Sequence, residues 1–289
     1  MQKSKPKLKT KKLVKTALSE DVGAGDFTTN SIVPKVARAK AIIVAKENGT
    51  IAGLSVAKQV FCSVDKKIKF SAKVKDGAKV KKGKVIATLS GPARGILTGE
   101  RSALNFLQRL SGIATLTSRF VDLAHGTSHL PAGRHGLAQI LDTRKTIPGL
   151  RILEKQAVKA GGGANHRFGL YDAILIKDNH IAIAGGIKSA IKLAKKKNPK
   201  KFVEVEAKKL TQVKQAIEIG VDRILLDNMN LKTLRQAVKL CRKAKIKTEA
   251  SGGVNLKTIK QVAKTGVDCI SVGALTHSAQ ALDISLLVD

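Results

Sequence analysis

Short apolar runs alternate with longer amphipathic stretches through the second half of the chain, beginning near Leu137. Each run is rich in Ile, Val and Leu, and helical apolar spacing follows it, as at 210–219 and 231–244. This alternation predicts βα units, and nearly continuous apolar strands predict a parallel sheet covered by helices on both faces. The predicted strands are 139–142, 173–177, 202–206, 223–227, 247–251 and 269–273.

Polar residues follow each predicted strand, and this favours a parallel α/β barrel over an open sheet. The carboxyl ends of barrel strands converge on one face, where enzymes of this architecture place their chemistry. Cationic residues gather near the first two strands, at Arg144 and Lys145, at His166 and Arg167, and at Lys177. Arginine pairs bidentately with carboxylates or phosphates and lysine acts as a point charge, so this set indicates a multiply anionic substrate. Surface charge is the alternative for any one of them, and the strand-end position favours a site.

Two carboxylates, Glu206 and Asp227, end successive strands. Such a pair can hold Mg²⁺ or sugar hydroxyls, or balance the neighbouring cations structurally, and the strand-end position favours a functional role.

Two small-residue segments follow the last two strands. Ser251, Gly252 and Gly253 precede a helix predicted to begin near Asn255, and Ser271 and Gly273 occupy the equivalent place one strand later. Glycines permit close backbone approach, and amides at a helix start bind phosphate. A tight turn is the alternative for the glycine pair.

The first part of the chain has a different pattern. Strands are predicted at 36–44 and 68–74, and an amphipathic helix at 100–110 leads toward the barrel. The turn glycines at 76–86 are spaced as in the small β-sandwiches that carry lipoyl or biotinyl groups. No exposed lysine in a suitable hairpin tripeptide accompanies them, so the segment is interpreted as scaffold.

Charge distinguishes this chain further. Its 54 Lys and Arg residues against 21 Asp and Glu give a formal net charge of +33, which attracts phosphates and other polyanions. Aromatic residues make up only 3% and Trp is absent, so the stacking surfaces of single-strand binders are missing. Nucleic acid is therefore expected only as a non-specific polyanion.

Cysteine usage and hydropathy bear on location. Cys62, Cys241 and Cys269 fit neither a disulfide framework nor a zinc spacing, and are interpreted as buried thiols. No uncharged apolar stretch reaches the roughly 18 residues of a membrane span, and the lysine-rich start is not followed by an apolar signal segment. A cytoplasmic protein without membrane association is predicted.

Several motifs, in order along most of the chain, closely resemble the quinolinate phosphoribosyltransferase family. They are EDVGAGD at 20–26, GERSALN at 99–105, LDTRKTIPGLR at 141–151, GGGANHR at 161–167, IKDNH at 176–180, LDN at 226–228, SGG at 251–253 and VGALTH at 272–277. The resemblance implies phosphoribosyl transfer from phosphoribosyl pyrophosphate to quinolinate with decarboxylation, giving nicotinate mononucleotide, pyrophosphate and CO₂ in NAD biosynthesis. Mg²⁺ is the implied cofactor.

The resemblance also implies residue roles. The quinolinate carboxylates would be bound by Arg144, His166, Arg167 and, from a partner subunit, Arg101. Lys145 and Lys177 would face the phosphates, while Glu206 and Asp227 would hold the ribose hydroxyls and Mg²⁺; these four residues form the implied catalytic set. The 5-phosphate would lie against Ser251, Gly252, Gly253, Ser271 and Gly273, with His277 nearby.

The implied architecture is a homodimer in which an N-terminal α/β sandwich domain packs over the partner's barrel. The sandwich domain would comprise residues 1–115, joined by the C-terminal segment 276–289, and the barrel domain residues 116–275.

The chain departs from the family pattern at an apparent insertion, 128–136, and at Gln156, where the family more often has an aromatic residue. His125 and His129 are four residues apart, but in a Gly/Pro-rich loop this spacing predicts no metal site. Two alternatives stay open, a molybdenum-transport-associated relative of the fold and a non-enzymatic polyanion binder.

Overall fold

The computed structural model describes residues 6–126 and 137–289, which form two compact units. The first unit contains the described residues up to Ser118, Thr146–Gly162 and Thr276–Asp289, and the second contains the described parts of Arg119–Lys145 and Gly163–Leu275. The predicted barrel domain, 116–275, includes Thr146–Gly162, which clusters with the first unit in the structure. The insertion at 128–136, with His129, lies outside the described residues.

The first unit is built on a four-stranded sheet in the order β12-β1-β5-β3, with antiparallel pairings throughout. Its elements are α1 (Pro6–Val22), α2 (Phe27–Ile32), β1 (Arg38–Ala45), β2 (Gly49–Thr50), α3 (Leu54–Val64), β3 (Lys69–Ala72), β4 (Lys79–Val80), β5 (Val85–Pro92), α4 (Ala93–His125, up to Ser118 in this unit), α5 (Arg151–Ala160) and β12 (Ile284–Val288). The predicted strands 36–44 and 68–74 correspond to β1 and β3. Strand β12 therefore completes the sheet from the far end of the chain.

Helix α4 is much longer than the predicted helix 100–110. Glycines at 95, 99 and 112 would ordinarily weaken a helix, yet here they admit close neighbours. A Cβ at Gly112 would lie 1.9 Å from the backbone oxygen of Gln280. Buried Ile96 and Ile113 continue the apolar face on either side of the predicted segment. Tertiary packing thus extends the helix beyond its local sequence signal.

The second unit confirms the parallel strands and the barrel. Its elements are β6 (Gln139–Leu141), β7 (Ile174–Ile176), α6 (Asp178–Ile183), α7 (Ile187–Lys197), β8 (Val203–Ala207), α8 (Leu210–Ile219), β9 (Arg223–Asp227), α9 (Leu231–Lys243), β10 (Lys247–Ser251), α10 (Ile259–Ala263) and β11 (Cys269–Ser271), and α11 (Ala274–His277) runs on from its end. The strands are parallel in the order β6-β11-β10-β9-β8-β7. This sequential order, with β6 and β7 at its two ends, is that of an α/β barrel.

One helix start was placed too early by the sequence. The helix predicted to begin near Asn255 begins at Ile259. The side-chain oxygen of Asn255 accepts hydrogen bonds from the backbone N–H groups of Lys257 and Thr258, at 2.9 and 3.2 Å. These bonds close a turn before the helix, a local alternative that Asn offers to the backbone. In the described residues, no helix has the length and apolar character to cross a membrane.

The cysteine prediction was right for two thiols and wrong for the third. Cys241 and Cys269 are buried, and burial raises the pKa of each thiol to about 11. Cys62 is partly exposed, because it lies on α3 at the edge of a cavity of about 1700 Å³ between α1 and α3.

We expect this difference to appear in thiol labelling. Because the thiolate is the reactive form, only Cys62 should react rapidly with a disulfide reagent at pH 8 in the native protein. All three thiols should react after denaturation. In Cys62→Ser the fast phase should vanish, and a fast phase that persists would contradict the burial of Cys241 and Cys269.

Candidate functional site

Most predicted site residues lie in the second unit, at or beside the carboxyl ends of the barrel strands. This group comprises Arg144, Lys145, His166, Arg167, Lys177, Glu206, Asp227, Ser251, Gly252, Gly253, Ser271 and Gly273. Arg101, exposed on α4, and His277, exposed at the end of α11, belong to the first unit. The strand order therefore assembles one face from residues more than a hundred positions apart in sequence.

A buried aspartate holds the segment 165–167 beside the end of β6. Ala164 forms a parallel bridge with Leu141, and Asp142, the next residue after β6, is fully buried. Its carboxylate accepts a hydrogen bond from the backbone N–H of His166 at 2.9 Å and one from the side-chain amide of Asn165 at 2.5 Å. Asp142 thus fixes the backbone that carries His166.

Two arginines lie near one another on this face. Arg144 is exposed, whereas Arg167 is partly buried and donates from Nη1 to the backbone oxygen of Ala173 at 3.0 Å. Burial, followed by the charge of Arg144, lowers the pKa of Arg167. The two guanidinium groups repel each other when no ligand is bound, so an anion bound between them would be favoured.

Beneath these arginines the barrel contains a cluster of buried charges, which we call the ionic cluster: His166, Glu204, Arg223 and Glu249. Arg223 pairs bidentately with Glu204, with Nε–Oε1 and Nη2–Oε2 distances of 2.8 and 3.0 Å. Its Nη2 atom is also 3.2 Å from Oε2 of Glu249. Nε2 of His166 lies 3.1 Å from Glu204 and 3.5 Å from Glu249. Each strand from β8 to β10 supplies one of these groups.

The cluster shifts the protonation of its members. Burial by itself lowers the pKa of His166, but the hydrogen bond to Glu204 and the charges of Glu204 and Glu249 outweigh burial and raise this pKa. The backbone N–H of Arg167 donates to Nδ1 of His166 at 2.8 Å, and Nδ1 can accept only in the neutral ring, so this hydrogen bond opposes the carboxylates and places the ring proton on Nε2. Both ring nitrogens are therefore engaged by the protein.

A second group centres on the predicted carboxylate pair. Glu206 is nearly buried at the end of β8, and burial, then the charges of Asp227 and Asp178, raises its pKa. Lys208 donates to Asp178 at 2.8 Å and lies 3.8 Å from Oε1 of Glu206. The charge of Lys177 also acts on Glu206. The charges of Asp227 and Lys177 both act on Glu206, so the structure places these three side chains near one another.

The glycine segment after β10 gives space to a neighbouring amide. Gly252 has a φ of 90°, and a Cβ there would lie 2.2 Å from the side-chain oxygen of Asn228. The amide nitrogen of Asn228 donates to Asp227 at 2.9 Å. Glycine at this position therefore permits the contact that orients Asp227.

Sequence reasoning assigned no site role to four charged residues of this region, Glu204, Lys208, Arg223 and Glu249. Arg223 opens β9 and Glu249 lies inside β10, so local sequence presents them as ordinary strand residues. Lys208 resembles the many surface lysines. For Glu204 and Glu249 a signal was available, since a carboxylate inside an otherwise apolar strand requires a buried partner.

His166, Glu204 and Glu249 also offer ligand atoms within 4.8 Å of one another, a set that can hold a metal ion. The guanidinium of Arg223 contacts all three side chains, however, and supplies the positive charge there. Glu206 and Asp227 have no such arginine among their described contacts and suit a divalent cation better.

Comparisons with known proteins show a consistent similarity. The sequence models of two domains match the chain, "Quinolinate phosphoribosyl transferase, N-terminal domain" at residues 26–111 and the C-terminal domain of the same description at residues 113–287. A probable nicotinate-nucleotide pyrophosphorylase [carboxylating] of Bacillus subtilis is 46% identical, over 96% of this chain and 93% of that protein. A chloroplastic protein of that name from Oryza sativa is 44% identical, over 98% and 79%.

Solved structures agree with the sequence similarity. NadC from Streptococcus pyogenes is 40% identical, with a TM-score of 0.91 over 100% of this chain and 99% of that one. The nicotinate-nucleotide pyrophosphorylase from Francisella tularensis is 41% identical, with a TM-score of 0.91 over 99% and 98%. Similarity therefore covers both units.

Proposed function

This chain belongs to the quinolinate phosphoribosyltransferase family, and on that premise we propose how its residues serve the reaction. The enzyme transfers the phosphoribosyl group of phosphoribosyl pyrophosphate to quinolinate with decarboxylation, a step of NAD biosynthesis. One observation carries the assignment of residues. An arginine group, Arg144 and Arg167, and a carboxylate group, Glu206 and Asp227, lie on the same face of the barrel. We assign the phosphoribosyltransferase function to residues 116–275 and the sandwich domain to 1–115 with 276–289.

The arginine group binds quinolinate. Arg144 and Arg167 present two planar forks, which match the two adjacent carboxylates of a pyridine dicarboxylate better than lysines would. Arg101 of a partner subunit adds a third cation. Bound in this way, the ring nitrogen is held in place for attack on the ribose C1 atom, and a fixed orientation supplies much of the rate.

The lysines and the carboxylate group bind phosphoribosyl pyrophosphate. Lys145 and Lys177 face its phosphates, and Glu206 and Asp227 accept hydrogen bonds from the ribose hydroxyls. The 5-phosphate lies against the backbone of the two small-residue segments, with His277 near it. As the bond from C1 to pyrophosphate breaks, positive charge grows on the sugar and negative charge on the leaving group, and these residues complement both.

Decarboxylation follows from the product of the transfer. The nitrogen becomes quaternary when its bond to C1 forms, so the ring accepts the electron pair left when the adjacent carboxylate departs as CO₂. A proton then replaces the carboxylate on the ring. The arginines hold the remaining carboxylate and keep the ring in its site during this step.

The carboxylate pair also fits Mg²⁺. Glu206 has its pKa raised by burial and by two neighbouring carboxylates, and a divalent cation would relieve that repulsion with the oxygen ligands it prefers. When bound, Mg²⁺ neutralises charge on the pyrophosphate leaving group. Asn228 orients Asp227 for this role.

The assignment is tested by assaying pyrophosphate and CO₂ release from quinolinate, phosphoribosyl pyrophosphate and Mg²⁺. The wild type should release both in equal amounts. Glu206→Gln removes one charge at nearly constant volume, so kcat/KM for phosphoribosyl pyrophosphate should fall about tenfold or more, equal to about 1.4 kcal/mol.

The Mg²⁺ concentration for half-maximal activity should rise in the same variant, and direct titration of Mg²⁺ by calorimetry should weaken in parallel. Glu218→Gln, on the exposed end of α8, is the matched control and should behave as wild type. Unchanged Mg²⁺ dependence in Glu206→Gln would contradict the metal assignment.

A homodimer would cover apolar surface that each unit exposes. Phe27, Ile32 and Val36 of the first unit and Leu170 and Ile183 of the second are 72–89% exposed. Single exposed apolar side chains are ordinary, but grouped ones mark interaction surfaces, and Phe27, Ile32 and Val36 lie within ten residues of one another. We propose a homodimer in which they are covered, and sedimentation analysis tests it.

We propose that the protein acts in the cytoplasm without membrane association, although plant relatives are named chloroplastic or mitochondrial. The charge of +33 attracts nucleic acid only as a non-specific polyanion. Such binding should disappear at moderate salt, whereas specific binding would persist.

A further inference from the structure

The interior of the barrel is occupied by the ionic cluster at a level where barrels of this class usually pack branched apolar side chains. Glu204 and Glu249 are 1% and 0% exposed, and neither oxygen of Glu249 has a hydrogen bond. Replacing a buried ion pair by apolar residues of similar volume is often neutral or stabilising, so stability alone does not account for the cluster.

The connections of the cluster lead to the proposed quinolinate site. Glu204 holds Nε2 of His166, and Nδ1 of His166 accepts the backbone N–H of Arg167. Asp142 holds the backbone N–H of His166 from the other side. Since both ring nitrogens are engaged, His166 has no free polar atom with which to bind a carboxylate.

We infer that Arg223, Glu204 and Glu249 position Arg167 for quinolinate through His166, and that His166 itself is a positioning residue and not a direct ligand. The bidentate Arg223–Glu204 pair fixes the carboxylate against which the imidazole rests. Glu249, on the adjacent strand β10, lies 3.2 Å from Nη2 of Arg223 and holds the same guanidinium from the other side. The imidazole then fixes the backbone of Arg167, whose guanidinium reaches the backbone oxygen of Ala173.

This inference rests on the proposed role of Arg167, and it has a distinct consequence. If His166 bound quinolinate directly, releasing its Nε2 from Glu204 would leave quinolinate binding intact or strengthen it. If His166 positions Arg167, the same release weakens quinolinate binding and leaves the phosphoribosyl pyrophosphate site unaffected.

The decisive variant replaces the cluster as a unit, with Glu204→Leu, Arg223→Met and Glu249→Leu combined. This protein should fold, because no unpaired charge is left among the three positions, and circular dichroism and Tm check that it does. The KM for quinolinate should rise about tenfold or more, since 1.4 kcal/mol of lost positioning gives that factor. The KM for phosphoribosyl pyrophosphate should stay within about twofold, a split that general destabilisation would not produce.

Arg223→Lys is measured beside it, because lysine keeps the charge but cannot form the bidentate pair with Glu204. It should raise the quinolinate KM by a smaller factor, and it decides the question if the triple variant does not fold. Arg235→Met, an exposed arginine of α9, is the matched control and should change neither KM.

Arg167→Ala separates the inference from the proposed function. If Arg167→Ala retains the wild-type quinolinate KM, the proposed site is wrong. If Arg167→Ala loses quinolinate use while the folded triple variant or Arg223→Lys keeps the wild-type quinolinate KM, the positioning role is overturned.

Discussion

Arg144→Ala is expected to abolish measurable use of quinolinate while leaving the fold intact. The side chain is exposed, so its loss creates no cavity, and its neighbour Arg167 is relieved of a repulsive charge. A planar dicarboxylate loses a bidentate partner that water cannot replace. At about 2 kcal/mol for each charge-assisted hydrogen bond, two lost bonds reduce kcat/KM by roughly a thousandfold.

Two companion variants make this result specific. Arg144→Lys keeps the charge without the fork, so it should recover only a small part of the activity. Arg235→Ala removes an equally exposed arginine from α9 and should keep full activity, which controls for the loss of one charge from the surface. Steady-state kinetics with quinolinate as the varied substrate provide the measurement, and a wild-type kcat/KM in Arg144→Ala would show that its assignment is wrong.

Activity is expected to return when two inactive variants, Arg101→Ala and Lys177→Ala, are mixed. Arg101 lies in the first unit and Lys177 at the end of β7 in the second. If Arg101 completes the site of the partner subunit, one of the two sites in a mixed dimer contains both side chains. Free exchange places about half of the dimers in the mixed form, so roughly a quarter of all sites should become competent.

Subunit exchange must be verified in the same sample, and mass spectrometry of differently tagged chains does so. Mixing Arg101→Ala with Arg101→Ala chains of the other tag is the matched control and should restore nothing. If mixed dimers form and no activity returns, Arg101 acts within its own chain or has no role in the site.

Local sequence determined the second unit most completely. All six predicted barrel strands are present in the structure. Each is a short apolar run with hydrophobic side chains on both faces of the sheet, and both faces must be covered. The motif blocks identified the family by their residue types and their order along the chain. The charged groups that these strand ends bring together, including Glu206, Asp227 and Lys177, followed from the same pattern.

Local sequence determined the first unit less well. The helix predicted at 100–110 is the middle of α4, and glycines such as Gly112 lie within it only because another segment packs closely there. The return of the chain as β12 beside β1 was implied by family resemblance and not by any local pattern. Both features depend on contacts between segments far apart in sequence, which local periodicity does not encode.

The ionic cluster shows most clearly what the sequence predicted and what only the tertiary structure decided. The sequence placed Glu204 and Glu249 within the predicted strands 202–206 and 247–251, but it did not predict that they are buried or with which charges they pair. Only the tertiary structure decided that Arg223 is their common partner, because parallel register places Arg223 beside Glu204, and the fold brings His166, 38 residues away in sequence, within 3.1 Å of Glu204. Burial makes such a charge unfavourable unless it is paired, and pairing is a property of the assembled barrel.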